Sequence, residues 1–146
     1  MTTPDALDWR IIRLLQADGR TPNATIAEKL SVAEGTVRAR IKKLIGAGIL
    51  RIGGEINPEY LAGHQLVLIA ITVAKSRRLE QTAREVAKLP EVTSVAITSG
   101  RYDIMAQVLV DSNKGIINFL SQSLAKIDGI VRTESFVFLK TINCWL

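Results

Sequence analysis

Residues 31–50 read SVAEGTVRARIKKLIGAGIL, and this stretch decides the fold of the first third of the chain. It predicts a tight turn and then a helix from about Glu34 to the glycines at 46 and 48, with Val37, Ile41 and Leu44 on one buried face. The opposite face then presents Gly35, Arg38, Ala39 and Lys42. Because the two cations flank small residues, a partner could approach the backbone closely, and this face is a candidate binding surface.

The same helix is basic along its exposed length. No acidic residue occurs from Gly35 to Gly54. A solvated helix usually mixes charge signs to gain i,i+4 ion pairs, and the pattern predicts that this helix does not. A plain solvated helix remains the alternative, but the pattern favours double-stranded DNA as the partner. The candidate DNA contacts are Thr36, Arg38, Arg40, Lys42 and Lys43.

Two shorter helices precede this one. The first carries apolar residues at helical spacing from Leu7 to Leu15. Thr21-Pro22 predicts the N-cap and first position of a second helix that runs to about Leu30. The three helices together predict a helix-turn-helix domain over residues 1–50, which is winged-helix-like with a short strand at residues 49–52.

The periodicity changes after the third helix. Residues 51–64 form a connector, and residues 65–146 alternate between β-rich and helical runs. The predicted elements are a strand at 66–74, a helix at 79–87, strands at 92–98 and 102–110, a helix at 116–127 and a strand at 131–142. This βαββαβ order predicts a ferredoxin-like sandwich with both helices on one face of an antiparallel sheet, so the fold class is α+β.

The first predicted strand is apolar on both faces. Leu66, Leu68 and Ala70 point to one side of the sheet, while alternate residues from Val67 to Val73 point to the other. Helices cover one face only, and a solvated second face would be polar. A core strand of a larger single sheet would look the same, but this chain is too short to supply a second layer. We therefore expect a homodimer formed through the second face.

Gly100-Arg101-Tyr102-Asp103 forms a loop that opens into a strand. Glycine lets a ligand or backbone come close. Arg101 could bind a carboxylate and Asp103 an ammonium group, an arrangement that suits a zwitterionic amino acid. An ordinary hairpin turn is the alternative interpretation of this loop.

Composition excludes several classes of function. Cys144 is the only cysteine, so no intrachain disulfide can form, and with His64 as the only histidine no metal cluster of the usual spacing is expected. The first residues have no signal-peptide pattern, and the longest apolar run, residues 66–74, is too short to span a bilayer. The formal net charge of +5 fits an anionic partner without establishing one. We expect a cytoplasmic protein without a cofactor.

Short motifs in a fixed order resemble the Lrp/AsnC family of prokaryotic regulators. They are Asp-x-x-Asp at 5–8, Leu-Gln-x-Asp-Gly-Arg at 15–20, Thr-Val-x-x-Arg-Ile at 36–41 followed by Leu44, Gly-Ile-Leu at 48–50, Asn-Pro at 57–58, Leu-x-Gly at 61–63 and Gly-x-Tyr-Asp at 100–103. Ala33 and Pro22 depart from the family's pattern, which favours serine near both helix starts. We expect Thr21 to cap the second helix, and Ser31, Glu34 or water to serve the third.

The resemblance implies a transcription regulator that dimerises through sheet-to-sheet packing and often assembles into octamers. It also implies an amino acid or similar metabolite as the effector, bound at a subunit junction near residues 100–103. Thr133 and Ser135 match polar positions of the family's last strand that lie near its effector pocket. The candidate effector contacts are therefore Gly100, Arg101, Tyr102, Asp103, Thr133 and Ser135.

Two other functions are compatible with such a chain. Sirohaem decarboxylases resemble this family in fold and rely on histidine and arginine near a bound tetrapyrrole. His64 lies in the connector and forms no Arg-His pair in the sequence, so we expect no enzyme. The other alternative is an architectural DNA-binding protein that responds to no metabolite.

Overall fold

The computed structural model describes residues 3–74 and 78–146. Met1 and Thr2 lie outside the described residues. They begin the segment in which the sequence shows no signal-peptide pattern. The chain divides into two compact units, one up to Gly54 and one from Glu55. Among the described residues, no helix is both long enough and apolar enough to cross a membrane.

Three helices make up the first unit: α1 (Ala6–Ala17), α2 (Asn23–Leu30) and α3 (Glu34–Gly46). Their predicted existence and order are confirmed. A single apolar cluster lies between them, and its fully or nearly buried members are Ile11, Leu15, Ile26, Ala27, Leu30 and Val37. The small side chain of Ala27 lets α2 and α3 pack closely, so the helical periodicity of the sequence correctly identifies this core.

Among residues 3–74 and 78–146, no side chain caps α2 or α3, which corrects one expectation. Pro22 occupies the N-cap of α2 in an extended conformation, so the Thr21 hydroxyl lies too far back and donates instead to the Asp18 carbonyl at 2.8 Å. Ala33 occupies the N-cap of α3, where the amides of Thr36 and Val37 donate to its carbonyl. The prediction that Thr21 caps α2 is therefore wrong, because the helix begins one residue later than expected.

The predicted strand at residues 49–52 is also wrong. The end of α3 is a Schellman motif: the Gly48 amide donates to the Ile45 carbonyl at 3.0 Å, and the Ile49 amide donates to the Leu44 carbonyl at 2.9 Å. Gly48 has φ +68°, which glycine adopts without steric cost. The Leu50 amide also donates to the Leu44 carbonyl, at 3.3 Å. The amides of Ile49 and Leu50 are therefore not available to a strand ladder.

The second unit has the predicted βαββαβ order, which confirms the α+β fold class. Its elements are β1 (Gln65–Val73), α4 (Leu79–Val86), β2 (Val92–Ile97), β3 (Ile104–Val110), α5 (Asn113–Asn118) and β4 (Ile130–Val137). The sheet has the order β2-β3-β1-β4 with every neighbouring pair antiparallel. After α5 the chain stays helical through a wide π turn, Phe119–Ser123, and a tight 3-10 turn, Leu124–Lys126.

The two faces of the sheet have different neighbours. Val67, Ile69 and Ile71 of β1 pack in one core with side chains of α4 and of the helical segment after β3. The other face, which we call the open face, carries Leu66, Leu68 and Ala70 of β1. Their cross-strand partners there are Met105, Gln107, Leu109, Glu134 and Phe136. The prediction that β1 is apolar on both faces is confirmed.

The last strand ends at Val137, five residues before its predicted end. Within the described part of the chain it pairs with β1 alone, and β1 begins at Gln65. The ladder therefore ends with the bond from the Phe138 amide to the Leu66 carbonyl. The tail turns instead to the start of the unit. The Thr141 amide and hydroxyl donate to the Glu59 carboxylate at 2.7 and 2.8 Å, and Ile56 and Leu146 exchange two backbone hydrogen bonds.

Candidate functional site

The outer face of α3 is oriented as the sequence predicts. Val37 and Leu44 are completely buried, which turns the predicted face, Gly35, Arg38, Ala39 and Lys42, to the surface of the unit. Thr36 and Lys43 are exposed beside it. The face therefore combines two small residues at its centre with cations on either side, a shape that permits close contact with a groove.

Arg38 has an acidic neighbour on its own helix. Its Nη2 lies 2.6 Å from Glu34 Oε1, one turn before it, and the Arg38 side chain is 69% exposed. The prediction of no i,i+4 pair is wrong here, because Glu34 lies one residue before the acid-free stretch. An ion pair this exposed contributes about 0–1 kcal/mol, so exchanging Glu34 for a phosphate costs little. Lys42 and Lys43 have no carboxylate within ion-pair distance among residues 3–74 and 78–146.

Arg40 points elsewhere than the other cations of α3. Its side chain is 30% exposed, and its Nη1 lies 2.5 Å from Asp5 Oδ2 and 2.9 Å from Asp8 Oδ1, both on the N-terminal part of α1. The hydrogen bond from Arg40, followed by that from the Asp8 amide, lowers the pKa of Asp5. The hydrogen bonds that Arg40 donates to Asp5 and to Asp8 raise the pKa of Arg40. The structure thus separates Arg40 from the other predicted DNA contacts.

Asp5 and Asp8 also cap α1 reciprocally. The Asp8 amide donates to Asp5 Oδ1 at 2.9 Å, and the Asp5 amide donates to Asp8 Oδ2 at 3.1 Å. The resemblance gives this Asp-x-x-Asp pair only as a family motif and does not reveal its role at the site. The spacing itself is the signal, since a capping residue followed three positions later by an acidic residue is the pattern of a capping box.

The loop at 100–103 is held from several sides. The Thr98 amide donates to the Asp103 carbonyl at 3.0 Å, and the Thr98 hydroxyl donates to the Tyr102 carbonyl at 2.7 Å. The Arg101 guanidinium lies 5.4 Å from the centre of the Tyr102 ring, within cation–π distance. The loop is therefore a closed turn in which Arg101 remains exposed.

Asp103 is anchored to the end of β1. Its Oδ2 accepts the Val73 amide at 2.8 Å, and its own amide donates to the Ile71 carbonyl at 3.0 Å. The pairing of β1 with β4 shifts register between Thr72 and Val73, so this carboxylate satisfies an amide at a break in that ladder. Within the described residues, Oδ1 accepts no hydrogen bond.

Glu134 is a polar neighbour of the loop that sequence reasoning missed. The Tyr102 hydroxyl donates to Glu134 Oε2, and this hydrogen bond is the largest of the effects that raise the pKa of Tyr102. Arg132 Nη2 lies 4.0 Å from the same oxygen. Glu134 pairs with Ala70 across the open face. Because β4 also carries Arg132, Thr133 and Ser135, its own sequence gives no signal that singles out Glu134.

Thr133 and Ser135 lie on the opposite face from Glu134. They pair with Ile71 and Ile69, whose side chains belong to the core beneath the helices. Thr133 borders a groove of about 340 Å³ with apolar walls from Leu120, Leu124, Ile127 and Val131. The structure thus brings Gly100–Asp103 next to Glu134 but does not bring the side chains of Thr133 and Ser135 to the same surface.

His64, the residue on which the enzymatic alternative depends, lies at the surface before β1. It is exposed, and its Nδ1 lies 3.2 Å from the Ala62 carbonyl oxygen. Glu59 and Thr141 line a shallow groove beside it, where they bond to each other. Nothing in these contacts pairs the imidazole with a guanidinium among the described residues.

Comparison with known proteins relates both units to one family. The AsnC-type helix-turn-helix domain matches residues 5–45, and the Lrp/AsnC ligand binding domain matches residues 66–144. A helix-turn-helix type transcriptional regulator of Pyrococcus abyssi (strain GE5 / Orsay) is 39% identical over 142 residues, which cover 97% of this chain and 89% of the relative.

Solved structures agree with this relation. The structure of AsnC from E. coli has a TM-score of 0.67 at 27% identity, covering 96% of this chain and 95% of that one. A transcriptional regulator of Neisseria meningitidis, solved as a complex with L-Met, has a TM-score of 0.70 at 26% identity, covering 97% of this chain and 94% of that one. Both likenesses extend over the helix-turn-helix unit and the sheet unit.

Proposed function

Because the chain belongs to the Lrp/AsnC family of DNA-binding transcription regulators and carries that family's ligand-binding domain, we propose that it reads DNA with the exposed face of α3 and responds to an amino acid or similar small metabolite. We assign residues 1–50 to DNA binding, 51–64 to the connector and 65–146 to sensing and assembly. The observation that carries the proposal is the outer face of α3, where cations surround two small residues, while Val37 and Leu44 on the inner face are completely buried and Ile41 is half-buried.

The proposed DNA contacts are Thr36, Arg38, Lys42 and Lys43. All four are exposed, and the only carboxylate that the described residues place beside any of them is that of Glu34. Thr36 lies in the first turn of α3, where reading helices meet base edges. Gly35 and Ala39 let the helix approach the floor of the major groove. Arg40 is left out of this set because its guanidinium is engaged by Asp5 and Asp8.

Replacing Arg38 and Lys42 with alanine tests the assignment. We expect the double variant to bind duplex DNA more weakly and to flatten the dependence of log K on log salt by about 0.9 per lost phosphate contact. The matched control is R84A/K88A, which removes the same two kinds of charge from the exposed surface of the other unit. Equal affinity and equal salt slopes in the test and control variants would refute the assignment.

For assembly, we propose a homodimer through the open face, with octamers as the larger form. Leu68 and Phe136 are neighbours on this face and are only partly covered within one chain. Removing these side chains from water against a second copy would stabilise the dimer. A two-fold dimer would present two copies of α3, so the DNA site should be roughly palindromic.

For sensing, we propose that an amino acid binds at the loop Gly100–Asp103. The L-Met complex of the N. meningitidis regulator supports this class of ligand. Arg101 is exposed and could bind the ligand's carboxylate, while Asp103 Oδ1 could accept its ammonium group. Thr133 and Ser135 remain weaker proposals, because they reach the same ligand only if it also touches the other face of β4 or a neighbouring subunit.

Asp103→Asn is the sharpest variant for this site. The asparagine oxygen can still accept the Val73 amide, so the strand end is kept while the negative charge is lost. We expect calorimetric titration of the wild type with the twenty standard amino acids to identify a ligand. D103N should then lower the affinity for that ligand far more than it lowers the affinity for DNA. A ligand that binds D103N as tightly as the wild type would place the site elsewhere.

We propose that the chain is not an enzyme and that it acts in the cytoplasm, where its DNA partner is found. The relatives that match it are named as transcriptional regulators, and the one histidine forms no pair with arginine in the described contacts. A purified chain that removed carboxyl groups from a tetrapyrrole would contradict this.

A further inference from the structure

We propose that Arg40 is a positioning residue that holds α3 against the N-terminal end of α1 through Asp5 and Asp8, and that DNA reading depends on this tie. The inference rests on the proposed use of α3 as the reading helix. It assigns functions to three charged residues that make no contact with DNA in the proposal above.

The tie is a closed hydrogen-bond network. Two carboxylates offer four oxygen atoms, and each accepts one bond. Arg40 Nη1 donates to Asp5 Oδ2 at 2.5 Å and to Asp8 Oδ1 at 2.9 Å. The two remaining oxygens accept the Asp8 and Asp5 backbone amides at 2.9 and 3.1 Å. The network therefore joins the cap of one helix to the middle of another.

Burial decides where the Arg40 guanidinium stays. The Asp8 side chain is only 3% exposed. If Arg40 swung out to a phosphate, Asp8 Oδ1 would be left without its charged partner inside the unit, and a buried carboxylate without a partner is strongly disfavoured. Arg38 is in the opposite situation, because both it and Glu34 are exposed and water can replace either partner.

The position of Arg40 on α3 suits this role. It lies three residues after Val37 and four before Leu44, the two completely buried side chains of the helix. Residues at these spacings lie on one side of a helix. Arg40 thus flanks the buried stripe, and its bonds to α1 restrain both the rotation of α3 and its distance from α1. Those two quantities set where Thr36, Arg38 and Lys42 meet a groove.

Asp8→Asn distinguishes positioning from direct contact by the sign of its effect. This variant removes a negative charge, and if Asp8 only competed with DNA for Arg40, binding would become tighter. Positioning predicts the reverse: affinity for a duplex selected by the wild-type chain from a randomised pool should fall by about tenfold, the size of one lost base-pair match. Affinity for a scrambled duplex of equal length should change little, because phosphate attraction does not need an aligned helix.

Two further variants complete the test. R40Q should lose affinity for the selected duplex without changing its salt slope, whereas R38Q should flatten the slope by about 0.9. A slope that falls as far in R40Q as in R38Q, or tighter binding by D8N, would overturn the inference. If D8N does not fold, D5N replaces it, since Asp5 is the more exposed of the two carboxylates.

The proposed function and this inference fail in different ways. If α3 does not read DNA, R38Q itself leaves affinity and slope unchanged. If α3 reads DNA but Arg40 contacts a phosphate, R38Q and R40Q behave alike and D8N binds more tightly. A variant that merely lowered the folded fraction would weaken the selected and scrambled duplexes equally, which also contradicts positioning.

Discussion

At the scale of single residues, Gly100 shows how backbone conformation alone can determine which residue type a position accepts. Its φ is +145°, yet a Cβ added there would meet nothing within 4 Å. The requirement is therefore conformational rather than steric. We expect Gly100→Ala to lower the free energy of unfolding by about 1–3 kcal/mol in urea titrations, the usual cost of a side chain in such a conformation.

Gly35 provides the matched control. A Cβ added there would also meet nothing within 4 Å, but Gly35 lies in the first turn of α3 with no positive φ. Gly35→Ala should leave the unfolding free energy unchanged or raise it, because alanine is the better helix former. If both variants lose the same stability, the conformational explanation at Gly100 is wrong.

Asp5 makes the stability of the first unit depend on pH in a defined direction. The bond from Arg40 lowers the pKa of Asp5 below its ordinary value of 3.8. A carboxylate whose pKa is lower in the folded state stabilises that state above its unfolded pKa, and the stabilisation is lost as the pH falls through the folded pKa. We expect the difference in unfolding free energy between wild type and D5N to be constant near neutral pH and to shrink below about pH 4.

At the scale of elements, α3 lacks a side-chain cap because Ala33 stands at its N-cap. Ala33 has the extended backbone that capping residues adopt, with φ −70° and ψ 143°, so a serine hydroxyl there could accept an amide of the first turn. We expect Ala33→Ser to stabilise the chain by about 1 kcal/mol in urea unfolding. Ala47→Ser, at the other end of the helix, is the control and should give no comparable gain; equal gains would refute the capping explanation.

The elements also show what sequence periodicity can and cannot predict. The apolar repeats of α1, α2 and α3, and of β1 with its two apolar faces, report burial directly, so these elements were predictable. The end of β4 was not, because it depends on where β1 begins. The prediction of a strand at 49–52 was wrong for a similar reason, because the amides of Ile49 and Leu50 donate to the Leu44 carbonyl.

The candidate sites divide in the same way. Helical spacing alone predicted that Arg38 and Lys42 lie on the exposed face of α3. It could not show that Arg40 meets Asp5 and Asp8, because that contact joins residues more than thirty positions apart. Glu134 escaped notice for the same reason: its closeness to Tyr102 depends on the register of β4 against β1.

At the scale of the whole molecule, the open face is the feature that predicts assembly. Replacing Leu68 with aspartate places a charge beside Phe136 on this face, so the full chain should become monomeric in light scattering. Gln122→Asp, a charge added on the exposed helical segment beyond α5, should leave the dimer intact. A dimeric L68D variant, or a wild type that is already monomeric, would contradict assembly through the open face.

The central proposal is that one chain joins a DNA-reading unit to an amino-acid sensor. The most direct test is the affinity of the full chain for its selected duplex, measured with and without each of the twenty standard amino acids. We predict that at least one amino acid shifts this affinity by about 5- to 150-fold, and that DNA shifts the affinity for that amino acid by the same factor, because coupling between two binding sites is reciprocal. Tight, α3-dependent DNA binding that none of the twenty alters would contradict the amino-acid sensor and favour an architectural DNA-binding protein instead.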